Sequence, residues 1–298
     1  MRARGAAGRD SVKGTEQSLR KNETLNSRAQ RVWEFDAWRG FLILGVLANH
    51  LNLTVHAFCV NGYYHIDSNV WAAVSDPLGV WYTRDAAGVL RSAEWVLWLR
   101  RTCNLPAVDS FFLISGVACM FSKNNLRRAL ITLGAAAFIA AFTYGLSLWT
   151  GDPTRFIRFG ALACYAVCQF AYVYVFERLE SKWLLLSVIP IFAIGYYLRY
   201  VGVQPTRLPI FYIFGVPQIG DRSSDFWPVF PMLGWFLLGV VLGRKFYSEK
   251  QTRLPFPKAE KLTRPLQWLG RHSGIIYVSH IVIYTAVFCG IGYLFGLL

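Results

Sequence analysis

The chain has 298 residues, of which 54% are hydrophobic and 16% are charged. Soluble domains carry about 25% charged residues, so this composition excludes an ordinary soluble protein and indicates a polytopic membrane protein. The formal net charge of +14 does not indicate a nucleic-acid-binding protein, because the basic residues lie in the tail and in loops between apolar runs.

The N-terminal segment is polar and basic and lacks the apolar core of a signal peptide. We expect residues 1–30 to form a disordered cytosolic tail and residues 31–298 to form one transmembrane domain. Cys59 and Cys103 flank the same long loop and could form a disulfide in an oxidising compartment, although pairing cannot be deduced from sequence alone.

Apolar runs that approach the roughly 20 residues of a membrane-spanning helix recur along the rest of the chain. The sequence therefore predicts an all-α fold, a bundle of about seven transmembrane helices. The predicted spans are residues 37–59, 104–122, 128–149, 157–177, 183–202, 227–246 and 273–297. Pro228 and Pro231 near the start of the sixth span predict a kinked entry into it.

The distribution of positive charge predicts a cytosolic N-terminus and a C-terminus on the other side. In this orientation 22 of the 31 lysines and arginines lie in cytosolic segments or at cytosolic helix mouths, and the nine that remain are all arginine. An excess of positive charge is typical of the cytosolic loops of membrane proteins.

The cytosolic mouth of the first span carries Asp36 and Arg39, three residues apart. This spacing puts both side chains on one helix face, where they could form an ion pair. They are candidates for binding a cofactor at the cytosolic surface. The alternative is a topological role, with Asp36 capping the helix and Arg39 anchoring it.

The first span itself, FLILGVLANHLNLTVHAF, contains polar side chains at membrane depth. His50 lies 14 residues beyond Asp36, which is roughly 21 Å along a helix. Ionisable groups at this depth usually face the interior or a pathway, and imidazole exchanges protons near neutral pH and has a nucleophilic nitrogen. His50 is therefore a candidate general base or acyl carrier, with Asn49 and His56 as candidate substrate-binding residues. The alternative is that His50 only hydrogen-bonds a neighbouring helix.

Asp109, near the outer mouth of the second span, is a candidate carboxylate partner for His50. It could instead cap the second helix where that helix enters the membrane.

Arg155 and Arg158 lie three residues apart in GDPTRFIRFG, between the third and fourth spans. Two guanidinium groups near the outer face suit a carboxylate or phosphate group of a substrate. Anchoring at the interface is an equally good interpretation of this pair.

The last span opens with LGRHSGIIYVSH, which places Arg271, His272 and Ser273 at a predicted helix N-terminus. Donors at such a terminus suit an anionic group such as a cofactor phosphate, whereas the alternative is capping by Ser273. His280 lies about two turns deeper and is a second catalytic candidate. No metal site is expected, because His272 and His280 are eight residues apart rather than the four of two ligands on one helix face.

Five stretches, in order, resemble a known family of membrane proteins, the heparan-alpha-glucosaminide N-acetyltransferase catalytic-domain family. The resemblance covers about residues 31 to 283. The stretches are RVWEFDAWRGFLILGVLANH, SFFLISGVACMFSKNNLRRA, RFGALACYAV, DFWPVFPMLGWFLLGVVLGR and LGRHSGIIYVSHIVI.

The resemblance implies a membrane acyltransferase. Characterised eukaryotic members move an acetyl group from cytosolic acetyl-CoA to an amino sugar across the membrane, and a histidine is implicated. Here the resemblance points to His50 first and His280 second. It implies a bacterial cytoplasmic-membrane protein that uses acetyl-CoA or another acyl-CoA and acylates an extracytoplasmic sugar or glycan. Membrane lipids are expected partners, nucleic acid is not, and homo-oligomer formation stays open.

Two positions depart from the family pattern. The fourth-span motif often reads Phe-Gly-x-Leu-His, but Ala163 occupies the histidine position here. Relatives also often carry an acidic residue four positions after the first-span histidine, where this chain has Thr54. An acid there could orient the imidazole, so His56 must substitute for it or the activity has drifted. A transporter of a small anionic or sugar-like solute and a catalytically degenerate membrane protein are the alternatives.

Overall fold

The structure is a computed structural model and describes most of the predicted transmembrane domain. The described residues are 32–55, 57–58, 64, 82–84, 90–92, 94–201, 203–220, 223, 225–249 and 251–298. Three predictions lie outside these residues: the disordered tail, the substrate-binding role of His56 and the disulfide that involves Cys59.

Seven helices overlap the seven predicted spans. They are α1 (Trp33–Val55), α2 (Glu94–Val117), α3 (Asn125–Thr150), α4 (Ala161–Ala171), α5 (Ser181–Tyr200), α7 (Val229–Phe246) and α9 (Arg264–Leu294). A 3₁₀ turn, Ala118–Phe121, continues α2, and a π-helical turn, Tyr172–Phe176, continues α4. Two short helices, α6 (Pro209–Tyr212) and α8 (Pro257–Leu262), lie in the connections.

The helical prediction holds apart from one small hairpin. Strands β1 (Tyr82–Arg84) and β2 (Leu90–Ser92) pair antiparallel ahead of α2. Among the described helices, four are long and apolar enough to cross a membrane: α3, α5, α7 and α9. Two shorter apolar segments, Pro106–Phe121 and Ala161–Phe176, accompany them. The molecule is an integral membrane helix bundle.

Two glycines set the crossing of α1 and α9. A Cβ atom on Gly40 would lie 1.9 Å from the carbonyl oxygen of Leu266, and one on Gly270 would lie 1.8 Å from that of Asp36. No side chain fits at either position, so the backbones touch directly, as small residues allow between membrane helices. Beyond the crossing the two helices run in the same direction, since Tyr284 near the far end of α9 donates a hydrogen bond to the carbonyl of Leu47.

A second crossing of the same kind joins α2 and α7. A Cβ on Gly116 would lie 1.9 Å from the carbonyl oxygen of Phe236, and one on Gly239 would lie 1.9 Å from that of Leu113. Helix α7 is the centre of the main apolar core, with Met232, Phe236 and most of its other apolar residues buried. The two close crossings thus hold the bundle together in the absence of a hydrophobic driving force between helices in lipid.

The predicted kink at the entry to the sixth span is confirmed. Pro228 occupies the N-cap position of α7, and Phe230, with φ −98° and ψ 126°, is extended rather than helical. Proline lacks an N–H donor and restricts the residue before it to extended backbone, which accounts for the break at Phe230 before Pro231. The loop ahead of α7 is thereby turned back onto the start of α4, where Phe226 forms a parallel bridge with Phe159.

Candidate functional site

His50 and His280 lie in direct contact, although 230 residues separate them in the chain. Each follows its crossing glycine, Gly40 or Gly270, by ten residues, or about 15 Å of helix. Because α1 and α9 run in the same direction, equal distances from the crossing bring the two imidazoles together. Nδ1 of His50 and Nε2 of His280 share a hydrogen bond at 2.5 Å. The two histidines that the sequence analysis ranked first and second form one group.

His280 takes the orienting role that the sequence analysis missed. Thr54, which replaces the family's acidic residue, donates its hydroxyl to the backbone carbonyl of His50 at 2.8 Å and not to the imidazole. The imidazole is instead held by His280, which is only 4% exposed. A partner for the first-span histidine is therefore present, but it comes from the last helix rather than from the next turn of α1.

A small cavity adjoins the histidine pair. Its volume is about 30 Å³, enough for one or two water molecules. Helix α1 contributes His50 to its lining, and α9 contributes Tyr277, His280 and Ile281. The other lining residues come from α3, from the start of α4 with the segment before it, and from the loop ahead of α7: Ala136, Ile139, Ile157, Arg158, Gly160, Ala161, Leu162, Ala163 and Asp225.

Asp225 is a carboxylate in the cavity lining that the sequence analysis did not name; its candidate was Asp109. The Phe159–Phe226 bridge carries it to the start of α4, where its Oδ1 accepts the indole N–H of Trp227 at 2.5 Å. The backbone N–H of Ala161 is a second donor to this carboxylate. A Cβ on Gly160 would lie 2.6 Å from Oδ2 of Asp225, so glycine is required for this approach. The signal was in the motif DFWPVFPMLGW, whose first residue is Asp225.

Burial raises the pKa of the Asp225 carboxyl above its ordinary value, while the N–H donors of Trp227 and Ala161 oppose the shift. Desolvation is the larger effect, since a carboxylate is stabilised by water more than by two donors. A carboxyl group of this kind exchanges its proton at a higher pH than an exposed aspartate.

The two arginines predicted to bind substrate have different surroundings. Arg158 is exposed and lines the cavity. Arg155 lies in a 3₁₀ turn, Pro153–Arg155, and its Nε pairs with Oδ2 of Asp152 at 3.2 Å. The structure therefore brings Arg158, but not Arg155, to the histidine pair.

Ala163 lines the cavity at the position where relatives often have histidine. Asn49 and Asp109, by contrast, are not among the lining residues. Asp109 lies in the interior of α2, which begins at Glu94, so the capping role considered for it is wrong. Its charge interacts with that of Arg199 on α5.

The sequence analysis placed Arg271, His272 and Ser273 at the N-terminus of the last helix as a site for an anionic group, and this placement is wrong. Helix α9 begins at Arg264 rather than near Ser273, so the N–H groups around Ser273 lie in the helix interior and are used within the helix. Ser273 is buried and does not cap the helix. Arg271 donates to the carbonyl of Gln267, and the His272 ring bonds the carbonyl of Trp268.

The predicted pairing of Asp36 with Arg39 is confirmed, with Oδ1 and Nη1 at 3.5 Å. Near this end of α1 lies a larger apolar cavity of about 290 Å³. Its lining residues are Phe35, Leu113, Val117, Leu242, Phe246, Tyr247 and Arg253. Phe35 and His50 are 15 residues apart, so about 22 Å of helix separates the two cavities.

The described part of the chain contains no group of three or more histidine, cysteine, aspartate or glutamate side chains placed to hold a metal ion.

The sequence model of one family, described as heparan-alpha-glucosaminide N-acetyltransferase, catalytic, matches residues 86–282. This match covers about two thirds of the chain. The chain belongs to this family. The region matched to the heparan-alpha-glucosaminide N-acetyltransferase family includes Arg158, Asp225 and His280 and begins after His50. Membership assigns the chain to the membrane acetyltransferases as a class. No curated protein and no solved structure matches it.

Proposed function

We propose that the protein transfers an acyl group, in the first instance acetyl, from a cytosolic acyl-CoA to a sugar or glycan acceptor on the extracytoplasmic side of a bacterial cytoplasmic membrane. The single observation that carries the proposal is the hydrogen-bonded His50–His280 pair beside a cavity. Two imidazoles in contact can accept a proton from an acceptor and pass it on, which is the task of a general base in acyl transfer.

The bonds that form and break in acyl transfer, and the proton that must move, assign a role to the His50–His280 pair. The acceptor oxygen or nitrogen bonds to the acyl carbon, the thioester C–S bond breaks, and the acceptor proton passes through the imidazoles to the departing CoA thiolate. One imidazole of a hydrogen-bonded pair donates while the other accepts, so His280 fixes which nitrogen of His50 is basic. His280 thereby does for His50 what an orienting carboxylate does in other sites.

The apolar cavity near Phe35 supports a cytosolic donor site. It is about ten times larger than the cavity at the histidine pair, and Arg253 at its edge suits an anionic group such as a CoA phosphate. Arg39, Arg271 and His272 remain proposed contacts for the polar part of the donor. The basic residues of the cytosolic loops would add a general attraction for this anion.

The test is acyl-CoA turnover by the purified protein. The protein in detergent receives labelled acetyl-CoA, and CoA release and label on the protein are followed for wild type and His50→Ala. Release or labelling that depends on His50 is expected. Gln204→Ala is the control, because Gln204 is exposed and lines neither cavity.

Uptake of a sugar or anion into vesicles without CoA release would instead support a transporter. Neither turnover nor uptake, in a folded protein, would support the catalytically degenerate alternative.

A further inference from the structure

Asp225 is the carboxylate among the residues that line the cavity at the histidine pair. The lining residues of this cavity include two imidazoles, one phenol, one guanidinium and this carboxylate. Arg158 is exposed, whereas Asp225 is half-buried in the loop that pairs with the segment leading into α4. An acceptor group that enters this cavity therefore meets Asp225 as well as the imidazoles.

The carboxylate is held in place by groups that leave it capacity to accept further hydrogen bonds. Trp227 donates its indole N–H to Oδ1, and the N–H of Ala161 is the second donor. A carboxylate accepts about four hydrogen bonds, so these two donors leave it capacity for more. The phenol of Tyr277 on α9 lines the same cavity.

An amino or hydroxyl nucleophile needs two acceptors in an acyl-transfer site. One is the base that removes the proton during attack, and the other orients the nucleophile before attack. We propose that Asp225 is this second acceptor: it binds the amino or hydroxyl group of the acceptor in the cavity that Asp225 shares with the His50–His280 pair. The inference rests on the proposed acyl transfer and adds a substrate-binding residue to it.

The competing role is structural, because Asp225 also bonds the first N–H of α4 as a capping residue does. The substitution Asp225→Asn separates the two roles. The single oxygen of an asparagine can still accept the N–H of Ala161, so the cap is kept, but the charged acceptor for the substrate is lost. The matched control is Asp152→Asn, since Asp152 caps the Pro153–Arg155 turn and pairs with Arg155 away from the cavity.

The experiment measures donor and acceptor steps separately in detergent-solubilised full-length protein. CoA release from acetyl-CoA with water as the only acceptor reports the donor side, and product formation with glucosamine or glucose as the probe reports the acceptor side. For Asp225→Asn we expect the KM for the sugar acceptor to rise at least roughly 10-fold, because a charge-assisted hydrogen bond to the acceptor is lost. CoA release without sugar should not change. Asp152→Asn should keep the wild-type KM.

Three results would overturn the inference. They are an unchanged acceptor KM in Asp225→Asn, an equal fall in CoA release without sugar in that variant, and a wild type that releases CoA but acylates neither probe. The proposed acyl transfer fails separately, by an absence of His50-dependent CoA release or labelling in the wild-type protein.

Discussion

A hydrogen bond between two imidazoles has one proton between its two nitrogens, and this determines how His50 and His280 behave. Removing either ring takes away both the base and its orientation, because each histidine holds the other. Groups that act as one unit give strongly non-additive losses when substituted. The pair is therefore expected to respond to substitution as a single catalytic group.

We predict that His50→Ala and His280→Ala each lower acyl transfer by roughly 100-fold or more, the usual contribution of a general base. The double variant should be little worse than either single variant. Initial rates of CoA release with an acceptor present measure this. If the two losses multiplied in the double variant, the histidines would act independently and the relay would be wrong.

The titration of Asp225 predicts how the free energy of unfolding depends on pH. Its pKa is raised by burial in the folded protein, so the folded state binds the proton more tightly than the unfolded state. The stability from this group is present below the unfolded pKa, about 4, and is lost as pH rises through the folded pKa. Asparagine does not titrate.

We therefore expect the Tm of Asp225→Asn, relative to wild type, to increase as pH rises from about 4 upward. Thermal unfolding in detergent at a series of pH values measures it, with Asp152→Asn as the comparison. A Tm difference between Asp225→Asn and wild type that stayed constant with pH would contradict a raised pKa of Asp225.

The sequence identified the chemistry of single residues better than their partners. His50 and His280 were recognisable because an imidazole in an apolar run is costly and conspicuous. The contact between them was not recognisable from the sequence, because it depends on the crossing of two helices that are far apart in the chain. Asp225 was overlooked because an aspartate in a polar loop before a proline-containing helix is an ordinary feature. The bridge between Phe159 and Phe226 shows that this loop folds onto α4.

At the level of helices, close contact between backbones positions the site. The α1–α9 crossing is fixed where Gly40 and Gly270 meet, and a wider separation there would move His50 and His280 apart. The seven apolar runs gave the positions of the helices, because their hydrophobicity is a local property. The start of α9 at Arg264 was missed, since the polar first turns of that helix resemble a loop in composition.

We predict that Gly270→Ala destabilises the protein and reduces acyl transfer, because the new methyl group meets the carbonyl oxygen of Asp36 at 1.8 Å. Overpacking of this kind costs about 1–3 kcal/mol. Gly274→Ala is the matched control, one turn later on α9 with open space around it. It should be neutral or slightly stabilising. Equal Tm values for Gly270→Ala and Gly274→Ala would show that α1 and α9 can move apart at the crossing without loss of stability.

At the level of the whole molecule, the first and last helices run in the same direction. Two membrane spans that run in the same direction must have an odd number of spans between them. The seven predicted spans agree with this, because α1 and α9 correspond to the first and the last of them. The parallel direction of α1 and α9 is consistent with termini on opposite sides of the membrane. Which side is cytosolic is predicted by the charge distribution alone.

We predict that Lys123→Cys is protected from a membrane-impermeant thiol reagent in intact cells, whereas Gln204→Cys is labelled. Both positions are exposed, so burial does not explain a difference between them. The wild-type protein measures the background from native cysteines, and labelling after cell lysis shows that Lys123→Cys is reactive. The opposite labelling pattern would reverse the orientation.

The distance in sequence between His50 and His280 also has a consequence for biosynthesis. Because 230 residues separate them, a ribosome that adds about 5–20 residues per second delivers the second histidine roughly 10 to 50 s after the first. During that interval His50 and the glycine face of α1 lack their contacts on α9. A nascent chain released before α9 would be inactive and would present this surface to other helices.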